Sequence, residues 1–330
     1  MSDKGRHIGP SELLQWAVLQ TATKNEDAPG PGPQNVEPID PKWIDLILGK
    51  SDAIRMRECV EFFSNPSNSV DDRITNMDDL ELLVESLDNA NGIYALAFEI
   101  SDTLLMRQSD LRPLNLWRPI ISTVSDPDPK IRQYAVWILG TAIKNNARSQ
   151  TDFLDSDALP PVLNALESDS DAEVKAKAAY CIAGLLNHNT RALSSFRSLN
   201  GFKILQAALQ PQNKTNTTLQ TRILFLLNTL LDVSAEDDKK DQIAGKLVSQ
   251  DVVSEGICES LVDIIKTAQD VNLAERVLQL VTTLATKYPG TIKNSLRDQL
   301  VESAPRLREV DGVDGELVDG AIRALQNLSK

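Results

Sequence analysis

The chain has 330 residues, of which 42% are hydrophobic and 5% aromatic, and its 34 basic and 47 acidic residues give a net charge of -13. An acidic surface repels phosphate backbones and anionic lipid, and the densest charge cluster, residues 237–241, is mixed in sign. We therefore expect neither nucleic acid nor a membrane as a partner. The sequence also lacks a run of about eighteen apolar residues that could span a bilayer.

The first forty residues are predicted to form a flexible arm ahead of a repeat domain at 41–330. Ser11 is suited to cap a short amphipathic helix that carries Leu13, Leu14 and Trp16. Residues 23–33 follow, with three prolines and two glycines, a composition typical of a linker. Pattern alone leaves two roles open for the helix. It docks onto the repeats as a cap, or it stays free as an apolar peptide for another protein's groove.

The cysteines Cys59, Cys181 and Cys258 are odd in number and far apart, and none belongs to a CxxC or Cys/His cluster. Cys181 lies in an apolar helical block, where a buried thiol is expected. The amino terminus lacks the apolar segment of a secretory signal. These features together predict a protein of the cytosol, and we expect a monomer.

Helices are predicted at 41–48, 53–63 and 69–87 in the first part of the repeat domain. Residues 88–92, Asp-Asn-Ala-Asn-Gly, are expected to form the turn that ends the third of these helices, because Gly and Asn tolerate a left-handed C-cap. The next segment, 94–108, is apolar enough to pack but matches no repeat position. A further helix is predicted at 114–124.

The strongest pattern in the sequence is a duplication with a spacing of 43 residues (174 minus 131). The matched pairs are Ile131 and Val174, Ala135 and Ala178, Arg148 and Arg191, and Phe153 and Phe196. Each unit is preceded by an acidic turn, and short helices are predicted at 159–166 and 202–209. A period in the low forties with helical spacing inside each unit is typical of armadillo and HEAT repeats.

Two further units are predicted at 219–231 and 273–284, separated by a charged loop at 236–241. Helices at 299–308 and 316–328 alternate charge with leucine and valine, which suits a polar-faced cap. The predicted fold is thus an all-α armadillo/HEAT-like solenoid of about four repeats with flanking capping helices.

No common catalytic motif occurs in this sequence, and its many carboxylate pairs fall in predicted turns and on solvent-facing helix surfaces. There is no Gly-rich phosphate loop, GxSxG, HExxH or EF-hand spacing, and the only histidines are His7 and His188. His188 closes the polar end of a helix, where a surface hydrogen-bonding role is expected. The sequence therefore predicts no enzyme, no metal site and no cofactor.

One position is equivalent in all four units, and in three of them it is a long cation. Its occupants are Tyr134, Lys177, Arg222 and Arg276. In one interpretation each stem lies along its helix with the charged head in water. In the other, the cations face a partner protein, where the planar fork of Arg pairs well with carboxylates.

A general armadillo adaptor is the second function that the repeats allow. Transport receptors of this kind place repeated Trp/Asn pairs along their groove. Here Trp137 is matched by Tyr180 and Phe225 in the following units, so this tryptophan ladder is absent.

Several short motifs occur in an order that resembles a known family. They are Leu-Leu-Gln-Trp at 13–16, Leu-Asp-Asn-Ala-Asn at 87–91, Leu-Trp-Arg-Pro-Ile-Ile at 116–121, Gly-Thr-Ala-Ile-Lys-Asn-Asn at 140–146, and the block 178–189. Over residues 11–284 the chain is similar to the cytosolic armadillo-type nucleotide exchange factors of heat-shock protein 70, the Fes-type family.

This resemblance implies a clamp around the nucleotide-binding domain of heat-shock protein 70. The array embraces one lobe and displaces the other, so that ADP leaves, ATP enters and the client is released. Ala90 and Arg222 match family positions tied to chaperone contact, and Leu13, Leu14 and Trp16 match the arm that imitates a client peptide. The predicted chaperone-binding residues are Asp88, Asn89, Ala90, Asn91, Lys177, Arg222 and Arg276.

The chain departs from the family pattern in one place. Asn91 and Trp117 are 26 residues apart, whereas the family joins these motifs by a short link. The segment 94–108 accounts for the excess, either as a genuine insertion or as translated intron sequence. We expect a variant that lacks this segment to fold and to retain exchange activity.

Overall fold

The computed structural model of the chain describes residues 52–90, 115–210, 217–232 and 239–328. These residues belong to one compact unit, and within them the chain forms α-helices and one 3-10 helix, with no strand. Several predictions lie outside the described residues: the arm with Leu13, Leu14 and Trp16, the helix at 41–48, Asn91, and the segment 94–108.

Two helices open the described part of the chain, α1 (Asp52–Ser64) and α2 (Val70–Ala90). Both were expected, but the predicted turn at 88–92 is wrong for residues 88–90, because α2 continues through Asp88, Asn89 and Ala90. Asp and Asn cost less than about 1 kcal/mol each in a helix. Their presence alone therefore does not end α2.

The remaining helices follow in groups. They are α3 (Trp117–Thr123), α4 (Pro129–Ile143), α5 (Ala147–Asp155), α6 (Leu159–Ser168), α7 (Ala172–Leu186), α8 (Thr190–Ser198), α9 (Gly201–Leu209), α10 (Thr217–Leu231), α11 (Lys239–Ser254), α12 (Ile257–Thr267), α13 (Val271–Lys287), α14 (Asn294–Ser303), a 3-10 helix (Ala304–Glu309) and α15 (Gly315–Asn327). The predicted charged loop at 236–241 is wrong from residue 239 onwards, where α11 begins. The sequence pattern also missed α12.

The helices form complete three-helix units at α5–α7, α8–α10 and α11–α13. The third helices of these units stack directly, α7 on α10 and α10 on α13, and α4 continues the stack ahead of α7. We call α4, α7, α10 and α13 the third-helix row. Helix α2 packs against its first member and α15 against its last. The second helices form a parallel row in which α6, α9, α12 and α14 contact one another in turn.

Local sequence determines where the repeated helices begin. The carboxylate of Asp128 accepts hydrogen bonds from the first backbone N–H groups of α4, and Asp171 does the same for α7. Asn146 and Asn189 cap α5 and α8 in the same way. These caps recur because the duplicated units share their turn residues.

The core between the two rows of helices is continuous and mostly aliphatic, and it contains the thiol of Cys181, as predicted. Cys59 and Cys258 are also buried. Burial raises the pKa of the Cys258 thiol to about 12, and the charge of Glu259 adds to this effect. Buried thiols with raised pKa values are poor nucleophiles, so these cysteines serve as packing residues.

Candidate functional site

The third-helix row carries two equivalent positions, three residues apart, on each of its helices. The first holds Tyr134, Lys177, Arg222 and Arg276, and the second holds Trp137, Tyr180, Phe225 and Gln279. Residues spaced by three lie on the same face of a helix. All eight side chains are half-buried except Phe225, of which 49% is exposed.

In two places a cation on one helix of the third-helix row lies over an aromatic ring on the preceding helix of that row. Lys177 Nζ lies 3.2 Å from the centre of the Trp137 ring, which also contacts Tyr134 at a centroid distance of 5.5 Å. Two units later, Arg276 Cζ lies 5.0 Å from the centre of the Phe225 ring. Such contacts are worth about 0.5–2 kcal/mol each. The same pairing thus occurs at both ends of the row.

Arg222, in the middle of the row, follows a different pattern. Its Nη1 donates a hydrogen bond of 2.8 Å to the carbonyl oxygen of Ala176 on the preceding helix. The equivalent ring, Tyr180, packs instead against Gly140 on α4. Each of the three cations therefore contacts a ring or a backbone carbonyl of the preceding helix in the row. This differs from the interpretation in which their charged heads extend freely into water.

Electrostatics differ along the row because α2 adds carboxylates at one end. Burial lowers the pKa of Lys177, as does the charge of Arg222, while Glu81 and Glu173 oppose this effect. Tyr134 donates a 3.3 Å hydrogen bond to Asp78 on α2. Burial and the charge of Asp78 raise the pKa of this tyrosine.

The structure places the predicted site residues on adjacent helices. Lys177, Arg222 and Arg276 lie on three consecutive helices of the third-helix row, while Asp88, Asn89 and Ala90 lie in the last turn of α2, which packs against α4. Sequence analysis missed that Trp137 and Phe225 are the partners of these cations. The available signal was an aromatic residue three positions after the position that holds Tyr134, Lys177 and Arg222 in successive units.

The described ranges contain no group of three or more His, Cys, Asp or Glu side chains arranged to hold a metal ion. Within the same ranges, no helix is long and apolar enough to cross a bilayer. The surface that stands out here is therefore the polar and aromatic face of the third-helix row. Such a face is suited to contact another protein, since Arg and aromatic residues are enriched at the centres of protein interfaces.

Two family models match the sequence. The model described as nucleotide exchange factor Fes1 matches residues 11–93, and the model described as SIL1/FES1/HPBP1 C-terminal domain matches residues 110–288, more than half of the chain. The first match includes α1 and α2, and the second includes the third-helix row.

The matches to similar proteins cover different shares of the length of those proteins. The Hsp70 nucleotide exchange factor FES1 of Mycosarcoma maydis is 33% identical over 233 residues, which cover 67% of this chain but only 54% of that protein. The FES1 protein of Kluyveromyces lactis is 26% identical over 326 residues, 97% of this chain and 99% of that protein. The fes1 protein of Schizosaccharomyces pombe is 28% identical over 233 residues, 70% of this chain and 72% of that protein.

Solved structures share the fold at low sequence identity. A designed armadillo repeat protein has a TM-score of 0.56 with 13% identity, and the match covers 83% of this chain and 100% of that chain. A second designed armadillo repeat protein, crystallised with the peptide (KR)4, also has a TM-score of 0.56 with 13% identity, over 83% of this chain and 99% of that chain. The predicted all-α armadillo architecture is confirmed.

Proposed function

Since the chain belongs to the family described by the Fes1 and SIL1/FES1/HPBP1 models, we propose that it is a nucleotide exchange factor of an Hsp70 chaperone. It binds the nucleotide-binding domain of the chaperone and promotes release of ADP, and so release of the client. The observation that carries this proposal is the match of both family models across the helices from α1 to α13.

Exchange of this kind requires differential binding and no covalent chemistry. The factor binds the nucleotide-free conformation of the chaperone more tightly than the ADP-bound one and so shifts the population towards the open form. Linkage requires that ADP weakens the binding of the factor by the same ratio. A regulator that acts in this way needs no catalytic residue, and we place its action in the cytosol, as a monomer.

The third-helix row is the proposed chaperone-binding surface. Its support is the face described above, where Lys177, Arg222 and Arg276 are already ordered by contacts with the preceding helices. Ordered side chains lose less conformational entropy when a partner binds. Asp88, Asn89, Ala90 and Asn91 are proposed to extend this surface at the end of α2.

The test is release of a fluorescent ADP analogue from a cytosolic Hsp70, with and without this protein. We expect marked acceleration, reduced by Arg222→Ala and by Ala90→Arg. The Arg222→Ala variant also loses the hydrogen bond to Ala176, so a loss of about 1–3 kcal/mol of stability is expected and is measured alongside.

Arg118→Ala is the matched control, because Arg118 is exposed on α3, outside the third-helix row. Its acceleration should equal that of the wild type. If the wild-type protein accelerates release from none of the cytosolic Hsp70 paralogues, the proposed function is wrong. If Arg222→Ala and Arg118→Ala behave alike, the function stands but the surface is misplaced.

The arm residues Leu13, Leu14 and Trp16 are proposed to imitate a client peptide. Replacing all three with serine should leave ADP release intact and slow the release of a bound client peptide from the chaperone. An unchanged rate of client release would reject this role.

A further inference from the structure

Glu81 is a buried carboxylate on α2, the helix that packs against the first member of the third-helix row. Only 6% of the residue is exposed, and its Oε1 accepts a 2.8 Å hydrogen bond from the hydroxyl of Thr141 on α4. A buried carboxylate is costly unless it is paired or hydrogen-bonded. The hydrogen bond from Thr141 offsets part of this cost, but it does not explain why the side chain at this position carries a charge.

Three side chains connect Glu81 with the third-helix row, namely Thr141, Trp137 and Lys177. Thr141, its hydrogen-bond partner, lies four residues after Trp137 on α4, so that both side chains share one face of that helix. The ammonium group of Lys177 on α7 lies over the Trp137 ring at 3.2 Å. One carboxylate, one hydroxyl, one ring and one ammonium group thus connect α2, α4 and α7.

The charge of Glu81 is unfavourable for the fold itself. Burial raises the pKa of its carboxyl, and the charges of Glu85 and Asp78 on the same helix add to this effect. The hydrogen bond from Thr141 and the charge of Lys177 oppose it. A glutamine would fill nearly the same volume and could accept the same hydrogen bond without carrying a buried charge.

The negative charge of Glu81 stabilises the charged form of Lys177. Its ammonium is half-buried, and Arg222 on α10 repels it, while Glu81 and Glu173 attract it. Tyr134 on α4 is neutral at physiological pH and adds no charge, since its pKa is raised. Of the two carboxylates that attract Lys177, Glu81 is the one that comes from another helix.

We propose that Glu81 is a positioning residue of the chaperone-binding surface, whose carboxylate holds the Lys177 ammonium in place over Trp137. Glu81 itself is too buried to be a major contact, so it acts through Lys177. The inference deepens the proposed function and rests on it for its biological meaning. The attraction between the charges of Glu81 and Lys177, however, is testable without any chaperone.

The first experiment is NMR of the protein with 13Cε-labelled lysine. The Lys177 signal, assigned by its loss in Lys177→Met, should be displaced by the ring current of Trp137. In Glu81→Gln the pKa of Lys177 should fall and the displacement should shrink, because the attracting charge is gone. An unchanged Lys177 signal and titration would overturn the proposal, whatever the chaperone assay shows.

The second experiment is a double-mutant cycle with the chaperone's nucleotide-binding domain, using wild type, Glu81→Gln, Lys177→Met and the double variant. Glu81→Gln should weaken binding by about fivefold or more in the wild-type background and have no further effect beside Lys177→Met. Equal weakening in both backgrounds, or none in either, would refute a role through Lys177. Failure of the wild-type protein to bind would instead reject the proposed function.

Thermal melting at pH 7 separates positioning from a structural role. Glu81→Gln should melt at the wild-type temperature or higher, because it removes a buried charge and keeps the acceptor for Thr141. Thr141→Val is the matched control, since it removes the hydrogen bond and leaves the carboxylate. A large drop in melting temperature for Glu81→Gln would mean that the carboxylate serves the fold, which contradicts the proposal.

Discussion

Arg132 on α4 and Asp169 in the turn before α7 form a two-pronged ion pair, with 2.7 Å between Nε and Oδ2 and 2.8 Å between Nη2 and Oδ1. Arg73 occupies the equivalent position on α2 and pairs with Asp126 at 2.5 Å in the turn before α4. In both turns the same aspartate also accepts the backbone N–H two residues later. The same arginine–aspartate pair thus occurs twice, once between α2 and the turn before α4 and once between α4 and the turn before α7.

The Arg132–Asp169 pair should be important for stability. Only 6% of the Asp169 side chain and 15% of the Arg132 side chain are exposed. Asp169→Ala would therefore leave a largely desolvated guanidinium without its carboxylate, held only by the carbonyl oxygens of Asp126 and Pro127. We expect a loss of about 3 kcal/mol in the free energy of unfolding, measured by denaturant titration. Asp155→Ala breaks the exposed pair with Arg191 and should cost about 0–1 kcal/mol. Equal losses for the two variants would contradict this account.

The same pair predicts a pH dependence. Burial alone would raise the pKa of Asp169, but the hydrogen bonds from Arg132 and from the backbone of Asp171, with the charge of Arg132, lower it below the ordinary 3.8. A lowered pKa in the folded state gives stability that is present above pH 3.8 and is lost as the pH falls through the folded value.

Wild type and Asp169→Asn should therefore differ in stability at pH 6 and converge as the pH falls below 3.8. The measurement is urea unfolding at a series of pH values. A constant difference across the series would show that the charge of Asp169 contributes nothing.

Gly140 determines how closely α4 and α7 approach. A Cβ atom at this position would lie 2.8 Å from Cδ1 of Tyr180 and 3.2 Å from the Cα of Cys181, so the neighbouring helix would have to move. Gly140→Ala should destabilise the fold by about 1–3 kcal/mol. At Gly184 on α7 the nearest atom is 3.6 Å away, so Gly184→Ala should stabilise by up to about 1 kcal/mol through helix propensity. Effects of the same sign in thermal melts would refute the packing argument.

Phe225 should matter for binding more than for folding. It is 49% exposed on the third-helix row, and Arg276 lies over its ring. Phe225→Ala should weaken chaperone binding by about tenfold, because exposed aromatic residues beside Arg are frequent interface anchors. The matched control is Phe62→Ala on α1, a residue that is 37% exposed and lies outside the row. Binding assays in which the two variants lose the same affinity would argue against the row as the contact surface.

Most of the helical repeat could be predicted from the sequence because its signals are local. The 43-residue spacing, the capping aspartates and the apolar periodicity depend on residues within a few positions of one another, and α4, α7, α10 and α13 lie where these signals place them. The prediction failed at the end of α2 and at α11, where polar and charged residues suggest a turn or loop but cost a helix little. It also missed α12, although that helix is amphipathic.

The fold class, the repeat units and the family motifs follow from the sequence alone. Which side chains meet across those units depends on the packing of the helices: Lys177 meets Trp137, Arg222 meets the Ala176 carbonyl, and Arg276 meets Phe225. The physical reason is that the rotation and spacing between stacked helices follow from packing at contacts such as Tyr180 against Gly140. All of these contacts join residues 40 to 51 positions apart (177 minus 137, 276 minus 225), which no local pattern encodes.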